Sequence, residues 1–213
     1  MLLPYLEKLS PERQEVFWQL KHFSKNFVLA GGTGMMLQIG HRLSYDFDCF
    51  SLSALSSTLL RQVKKVFGLF IKPRIQTSEQ ITFPTKSGIE VTFVYHPYKP
   101  LRKPVKTDSV SLFSLDDLAA NKAYTIGRRG VWRDYVDLFF FLKWHLYSID
   151  KINTLAREKF KGEFNEKLFL EQLVYFDDVT VVPIDFLKES YREKEIKSFL
   201  EKKVGEYIQK RIC

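Results

Sequence analysis

The sequence predicts an α+β fold: a small mixed sheet with flanking helices, followed by a helical C-terminal lobe. Two observations carry this. Up to about residue 97 short apolar runs of strand type stand between helical stretches and Gly, Pro and Ser breaks, whereas from Ser114 onward Leu, Phe and Tyr recur at spacings of three and four. A length of 213 residues and a hydrophobic share of 45% suffice for one compact unit, or for two lobes of about 100 residues each. We place the sheet-bearing core at residues 1–112 and the helical lobe at residues 113–213.

In chain order, Ser10-Pro11-Glu12 reads as an N-cap with proline at the first helical position, and Val16, Phe17, Leu20 and Phe23 follow at helical spacing. Phe27 to Ala30 is a short apolar strand. Gly31-Gly32 breaks it, and Thr33 to Gly40 forms a helix with Met35, Met36 and Ile39 as apolar positions. Residues 45–50 alternate as a strand, with Tyr45, Phe47 and Cys49 on one face and Asp46, Asp48 and Phe50 on the other. An amphipathic helix covers 55–68, and the runs 71–84 and 87–97 read as two strands joined by a turn near Lys86-Ser87-Gly88. The second half opens with helices over SLDDLAANKAYTIG and WRDYVDLFFFLKWHL, and two or three more follow up to residue 210.

Composition narrows the function. Lys and Arg number 33 against 25 Asp and Glu, a net charge of +8, which favours encounter with nucleic acid or nucleotide phosphates. The two cysteines, Cys49 and Cys213, indicate neither a disulfide framework nor a zinc site and fit a reducing cytoplasm. The first residues meet charge and proline at once and do not read as a signal peptide. The longest apolar run, VDLFFFL, is too short for a membrane span, so a cytoplasmic protein with no membrane partner is expected.

The chemistry concentrates between residues 31 and 48. Two carboxylates two residues apart on one strand face, Asp46 and Asp48, repel by about 4 kcal/mol at 4 Å and an effective dielectric of 20. A divalent cation offsets this, since Mg²⁺ commonly takes one or two protein carboxylates plus the substrate's phosphates. Gly31 and Gly32 let the backbone approach a ligand closely. The amides of Thr33 and Gly34 open a helix whose N-terminus favours anions, and the Thr33 hydroxyl is placed for a phosphate oxygen. Together they form the anion cradle and acidic pair that phosphoryl or nucleotidyl transfer requires. Separately, a Gly-Gly pair reads as a turn and Asp-x-Asp as an exposed face.

The run LAGGTGMMLQIGHRLSYDFDCFS closely resembles the motif of the AbiEii/AbiGii toxin family of nucleotidyltransferases, within the polymerase-beta-like nucleotidyltransferase superfamily. The resemblance implies a nucleotidyltransferase fold, a nucleoside triphosphate handled by Gly31, Gly32 and Thr33, and a catalytic Mg²⁺ or Mn²⁺ on Asp46 and Asp48. It extends to SLDDLAANKAYTIGRRGVWRDYVDLFFFL, where it implies Lys122 as a phosphate contact and Asp134 as a functional acid, with Asp137 beside it. It also implies the toxin half of a bacterial toxin–antitoxin or phage-defence pair, an antitoxin partner, and an acceptor such as RNA, for instance a tRNA end. Read without the family, Lys122 and Asp134 are ordinary charges on exposed helices. The resemblance covers residues 27–143, and residues 150–213 carry no motif that assigns them a role.

One position departs from the superfamily pattern. A third carboxylate is expected on the strand within GIEVTFVYHP, and Thr92 stands there, with Glu90 and His96 on the same face. Losing a general base slows such reactions by about 10²- to 10⁴-fold. This leaves two alternatives to an enzyme: a catalytically impaired nucleotide- or RNA-binding module, and a subunit that docks a partner.

Further residues carry two readings each. Arg42 orients the acids or touches a phosphate, or else complements the end of its helix. Arg128, Arg129 and Arg133 meet a triphosphate or an RNA backbone, Arg129 being assigned to the nucleotide, or form a solvated loop. Cys49 reads as a core cysteine, and the run Phe139-Phe140-Phe141 with Trp144 as core or interface.

Overall fold

The computed structural model describes residues 3–212, so Cys213 lies outside the described residues. The chain forms two compact units, Met1–Ser114 and Leu115–Cys213.

In the first unit, helix α1 (Pro11–Gln19) starts as its sequence dictates, because the Ser10 side chain accepts the Arg13 amide and Pro11 occupies the first helical position. Val16, Phe17, Leu20 and Phe23 are all buried. Five strands, β1 (Val28–Leu29), β2 (Phe47–Ser51), β3 (Ile75–Gln76), β4 (Gln80–Pro84) and β5 (Glu90–Tyr95), form one mixed sheet in the order β1-β2-β5-β4-β3. Strands β2 and β5 run parallel and the other neighbours antiparallel.

The run 71–84, expected as one strand, is two. The Thr77 amide donates to the Gln80 carbonyl at 2.8 Å and its hydroxyl accepts the Gln80 amide at 2.9 Å, a side-chain turn that reverses the chain. Helix α2 (Gly31–Ile39) follows β1 directly, and α3 (Leu59–Phe67) buries Leu59, Val63 and Phe67, each four residues apart. Phe93 lies at the centre of the core, with ring centroids 4.7 Å from Phe23 and 4.6 Å from Phe27. Each such pair adds about 0.5–1.5 kcal/mol beyond its area.

The second unit is helical: α4 (Leu115–Ile126), α5 (Trp132–Lys143), α6 (Ile149–Phe160), α7 (Glu166–Leu173) and α8 (Glu193–Ile212). Helix α5 is its axis, buried at every position from Trp132 to Leu142 except Arg133. Phe139 meets Phe199 and Phe140 meets Trp144, with ring centroids 5.0 and 4.7 Å apart. Glu166 ties three helices together by accepting from Tyr207 at 2.6 Å, Asn153 at 3.3 Å and Arg211, while Arg157 pairs with its second oxygen. Among the described residues, no helix is long and apolar enough to cross a membrane.

Candidate active site

In the first unit the acidic motif and the glycines come together through backbone pairing. Antiparallel pairing sets Leu29 opposite Cys49, and the Ala30 amide donates to the Asp48 carbonyl at 2.8 Å. The start of α2 therefore lies directly against Asp48. Gly31 adopts φ +61°, and a Cβ on it would sit 2.3 Å from Asp48 Oδ2. Only glycine fits, for both its φ and its lack of a side chain. At Gly32 a Cβ would sit 2.7 Å from an Arg42 guanidinium nitrogen and 2.9 Å from Ser44 Oγ. Arg42 is buried, and its guanidinium donates to the Leu43 carbonyl at 2.9 Å.

Two sequence expectations change in detail. The helix begins at Gly31 rather than Thr33, and the Gly34 amide is committed to the Ala30 carbonyl at 2.9 Å. The amides of Gly31, Gly32 and Thr33 are those of the first turn, which has no intrahelical acceptors. The strand begins at Phe47, so Asp46 precedes it, and the buried Thr33 hydroxyl donates to the Asp46 carbonyl at 2.5 Å. Thr33 thus fixes the approach to the acidic pair. Asp46 and Asp48 are both half-buried, whereas Cys49 faces the core. Burial, and secondarily the Asp48 charge, push the Cys49 thiol well above its usual range, which makes it a packing residue.

On the neighbouring strand, Thr92 pairs in register with Asp48, and its hydroxyl lies 3.0 Å from that of Thr82. Glu90 is ion-paired with Arg74 at 2.9 Å. His96 lies past the end of β5, its ring 4.6 Å from Phe50 and 5.0 Å from Tyr98. Among the described residues no three His, Cys, Asp or Glu side chains are arranged to hold a metal ion. Two half-buried carboxylates nevertheless fit Mg²⁺ or Mn²⁺, hard ions that accept one or two protein oxygens with phosphate and water completing the shell.

The second unit holds a buried charge cluster. Lys122 Nζ on α4 lies 2.5 Å from Asp134 Oδ1 and 2.5 Å from Asp137 Oδ2 on α5, and all three side chains are buried. Exposed Arg129 approaches Asp134 Oδ2 at 3.3 Å. Asp134 and Asp137 are thus not ordinary surface charges, because one ammonium shared by two buried carboxylates is an arrangement in which each partner requires the others. Arg128 stacks on Tyr124, its guanidinium 3.5 Å from the ring centre, and donates to the carbonyls of Tyr124 and Glu163. A second buried pair, Asp117–Lys159 at 2.7 Å, joins α4 to α6, and no sequence motif signals it. Its partners lie 42 residues apart. Burial lowers the Lys159 pKa, and the hydrogen bond to Asp117 opposes that shift.

Residues 18–209 match the family described as "Nucleotidyl transferase AbiEii toxin, Type IV TA system". A protein of Aquifex aeolicus (strain VF5), aq_aa25, is 28% identical over 211 residues, covering 96% of this chain and 100% of its own. Among solved structures, a putative nucleotidyltransferase from H. pylori superposes with a TM-score of 0.60 at 17% identity, covering 95% of this chain and 97% of the other. MenT4, a nucleotidyltransferase toxin of Mycobacterium tuberculosis H37Rv, gives 0.58 at 13% identity, covering 91% and 80%. These likenesses establish the nucleotidyltransferase fold.

Proposed function

From the premise that this chain belongs to the AbiEii nucleotidyl transferase toxin family of type IV toxin–antitoxin systems, we propose that it transfers a nucleotidyl group from a nucleoside triphosphate to an RNA acceptor. The observation that carries this is the seating of the Asp48 carboxylate against Gly31 at the N-terminus of α2. A carboxylate and anion-binding amides meet there, as charge on a transferring phosphate demands.

In this reaction an acceptor hydroxyl bonds to the α-phosphorus as the bond to pyrophosphate breaks, and the hydroxyl proton is released. The first-turn amides of Gly31, Gly32 and Thr33 bind phosphate oxygens, with Arg42 bracing the turn from below. Asp46 and Asp48 would hold Mg²⁺ or Mn²⁺, which supplies Lewis-acid stabilisation of the phosphates when bound. We assign Lys122, Asp134 and Arg129 to the reaction on family resemblance, the exposed Arg129 as the cation for the triphosphate, with Lys122 and Asp134 as the buried pair that positions it. An antitoxin is the proposed protein partner and the cytoplasm the proposed setting.

The placement of Thr92 opposite Asp48 supports a second reading, a nucleotide- or RNA-binding module without turnover. Incubation with each labelled triphosphate, Mg²⁺ or Mn²⁺ and total RNA separates the two. Label transferred by the native chain and lost in Asp48→Asn supports the enzyme; triphosphate binding without transfer supports the module.

A further inference from the structure

The positive charge of the chain is unevenly divided. Residues 1–114 carry 15 Lys and Arg against 8 Asp and Glu, a net +7, whereas residues 115–213 carry 18 against 17, a net +1. Within the first unit, the stretch from Cys49 to Ser78 holds no acid and five cations, Arg61, Lys64, Lys65, Lys72 and Arg74. The buried face of α3 consumes Leu59, Val63 and Phe67, so Arg61 and Lys65 stand exposed and Lys64 half-exposed on its outer side. Lys86 joins them, because its side chain lies against Gly68.

At the end of α3 the chain presents Leu69 and Phe70, 76% and 91% exposed, the most exposed of the large hydrophobic side chains described. A shallow depression of about 600 Å³ is lined by Leu60, Arg61, Lys64, Lys65 and, of the two, Leu69. An exposed aromatic ring one residue beyond a cation-lined depression, with no acid in the segment, matches how single-stranded nucleic acid is held: phosphates on Lys and Arg, bases on an aromatic face.

We propose that the outer face of α3 together with the Leu69-Phe70 tip docks single-stranded RNA, Phe70 stacking on a base while Arg61, Lys64 and Lys65 contact phosphates. The proposal rests on the RNA-acceptor reading above and gives that acceptor a docking surface. An acidic protein partner is the rival occupant. The absence of any acid along the segment favours a polyanion that brings no cations of its own, because a protein face would present some of both signs.

The test is fluorescence anisotropy of a labelled single-stranded RNA with the full chain, in EDTA and without triphosphate, across a KCl series. Reversal of Arg61, Lys64 and Lys65 to Glu is expected to weaken binding at least about tenfold and to flatten the salt slope by about 2. Phe70→Ala is expected to weaken it about tenfold with the slope unchanged. Because the Phe70 ring is solvent-exposed, its removal leaves the core intact, and equal melting curves check this. Asp48→Asn should bind RNA like the native chain, so failure of transfer and failure of docking are distinguishable. Native-like RNA binding by both surface variants would overturn the proposal, as would loss of a co-purified protein partner from Phe70→Ala with RNA binding unchanged.

Discussion

Replacing Gly31 by Ala tests the geometry of the site through a single methyl group. Two costs follow from the structure. At φ +61° an L-residue pays about 1–2 kcal/mol for the left-handed backbone. The new Cβ would also lie 2.3 Å from Asp48 Oδ2, where ordinary contact starts at 3.4 Å, so the carboxylate must retreat by about 1 Å. A displacement of that size in a positioned reacting group costs about 10²-fold in rate. Gly88→Ala is the control, since Gly88 has φ +78° with nothing within 4 Å of its Cβ position. It should lose similar stability in urea denaturation and keep the native rate of label transfer to RNA, whereas Gly31→Ala loses both. Equal transfer rates for the two variants would refute the role assigned to the Gly31–Asp48 contact.

Three further outcomes are expected. Lys122→Met strands two buried carboxylates and should cost about 3–5 kcal/mol in denaturant unfolding, partly recovered by adding Asp137→Asn; a cost below about 1 kcal/mol would mean the cluster is not held by that lysine. Glu90→Gln should leave transfer nearly unchanged, because Arg74 already holds Glu90; a loss comparable to that of Asp48→Asn would make Glu90 the third acid. Burial, with the charges of Asp178 and Asp134 adding to it, pushes the Tyr135 pKa up to about 12, so the folded state keeps a proton that the unfolded chain loses near pH 10. Stability should therefore fall between pH 10 and 12, and Tyr135→Phe should flatten that fall in pH-dependent melting, an unaltered slope counting against it.

Local chemistry made much of the fold legible in the sequence. The Ser10-Pro11 cap, the alternation through Phe47 and Cys49, and the four-residue spacing of α3 each specify their element without outside help. Gly31, Gly32 and Asp48 were legible as a set. The contact between Gly31 and Asp48 was not, because it arises from antiparallel pairing of β1 with β2. The split between β3 and β4 escaped because it depends on the Thr77 hydroxyl replacing a backbone partner. The burial of Asp134 and Asp137 had a readable signal: α5 is apolar on every side, and acids on such a helix must be paired. Their partner Lys122 lies on another helix, and Asp117 and Lys159 are equally distant in sequence, so spacing alone does not reveal either pair.

The half-buried acidic pair and the α2 N-terminus are proposed to hold a metal–triphosphate together. Calorimetric titration of a non-hydrolysable nucleoside triphosphate with and without Mn²⁺ tests it most directly. Binding is expected to require Mn²⁺ and to be lost in Asp46→Asn and Asp48→Asn. Equal affinity with and without Mn²⁺, unchanged in both variants, would contradict it.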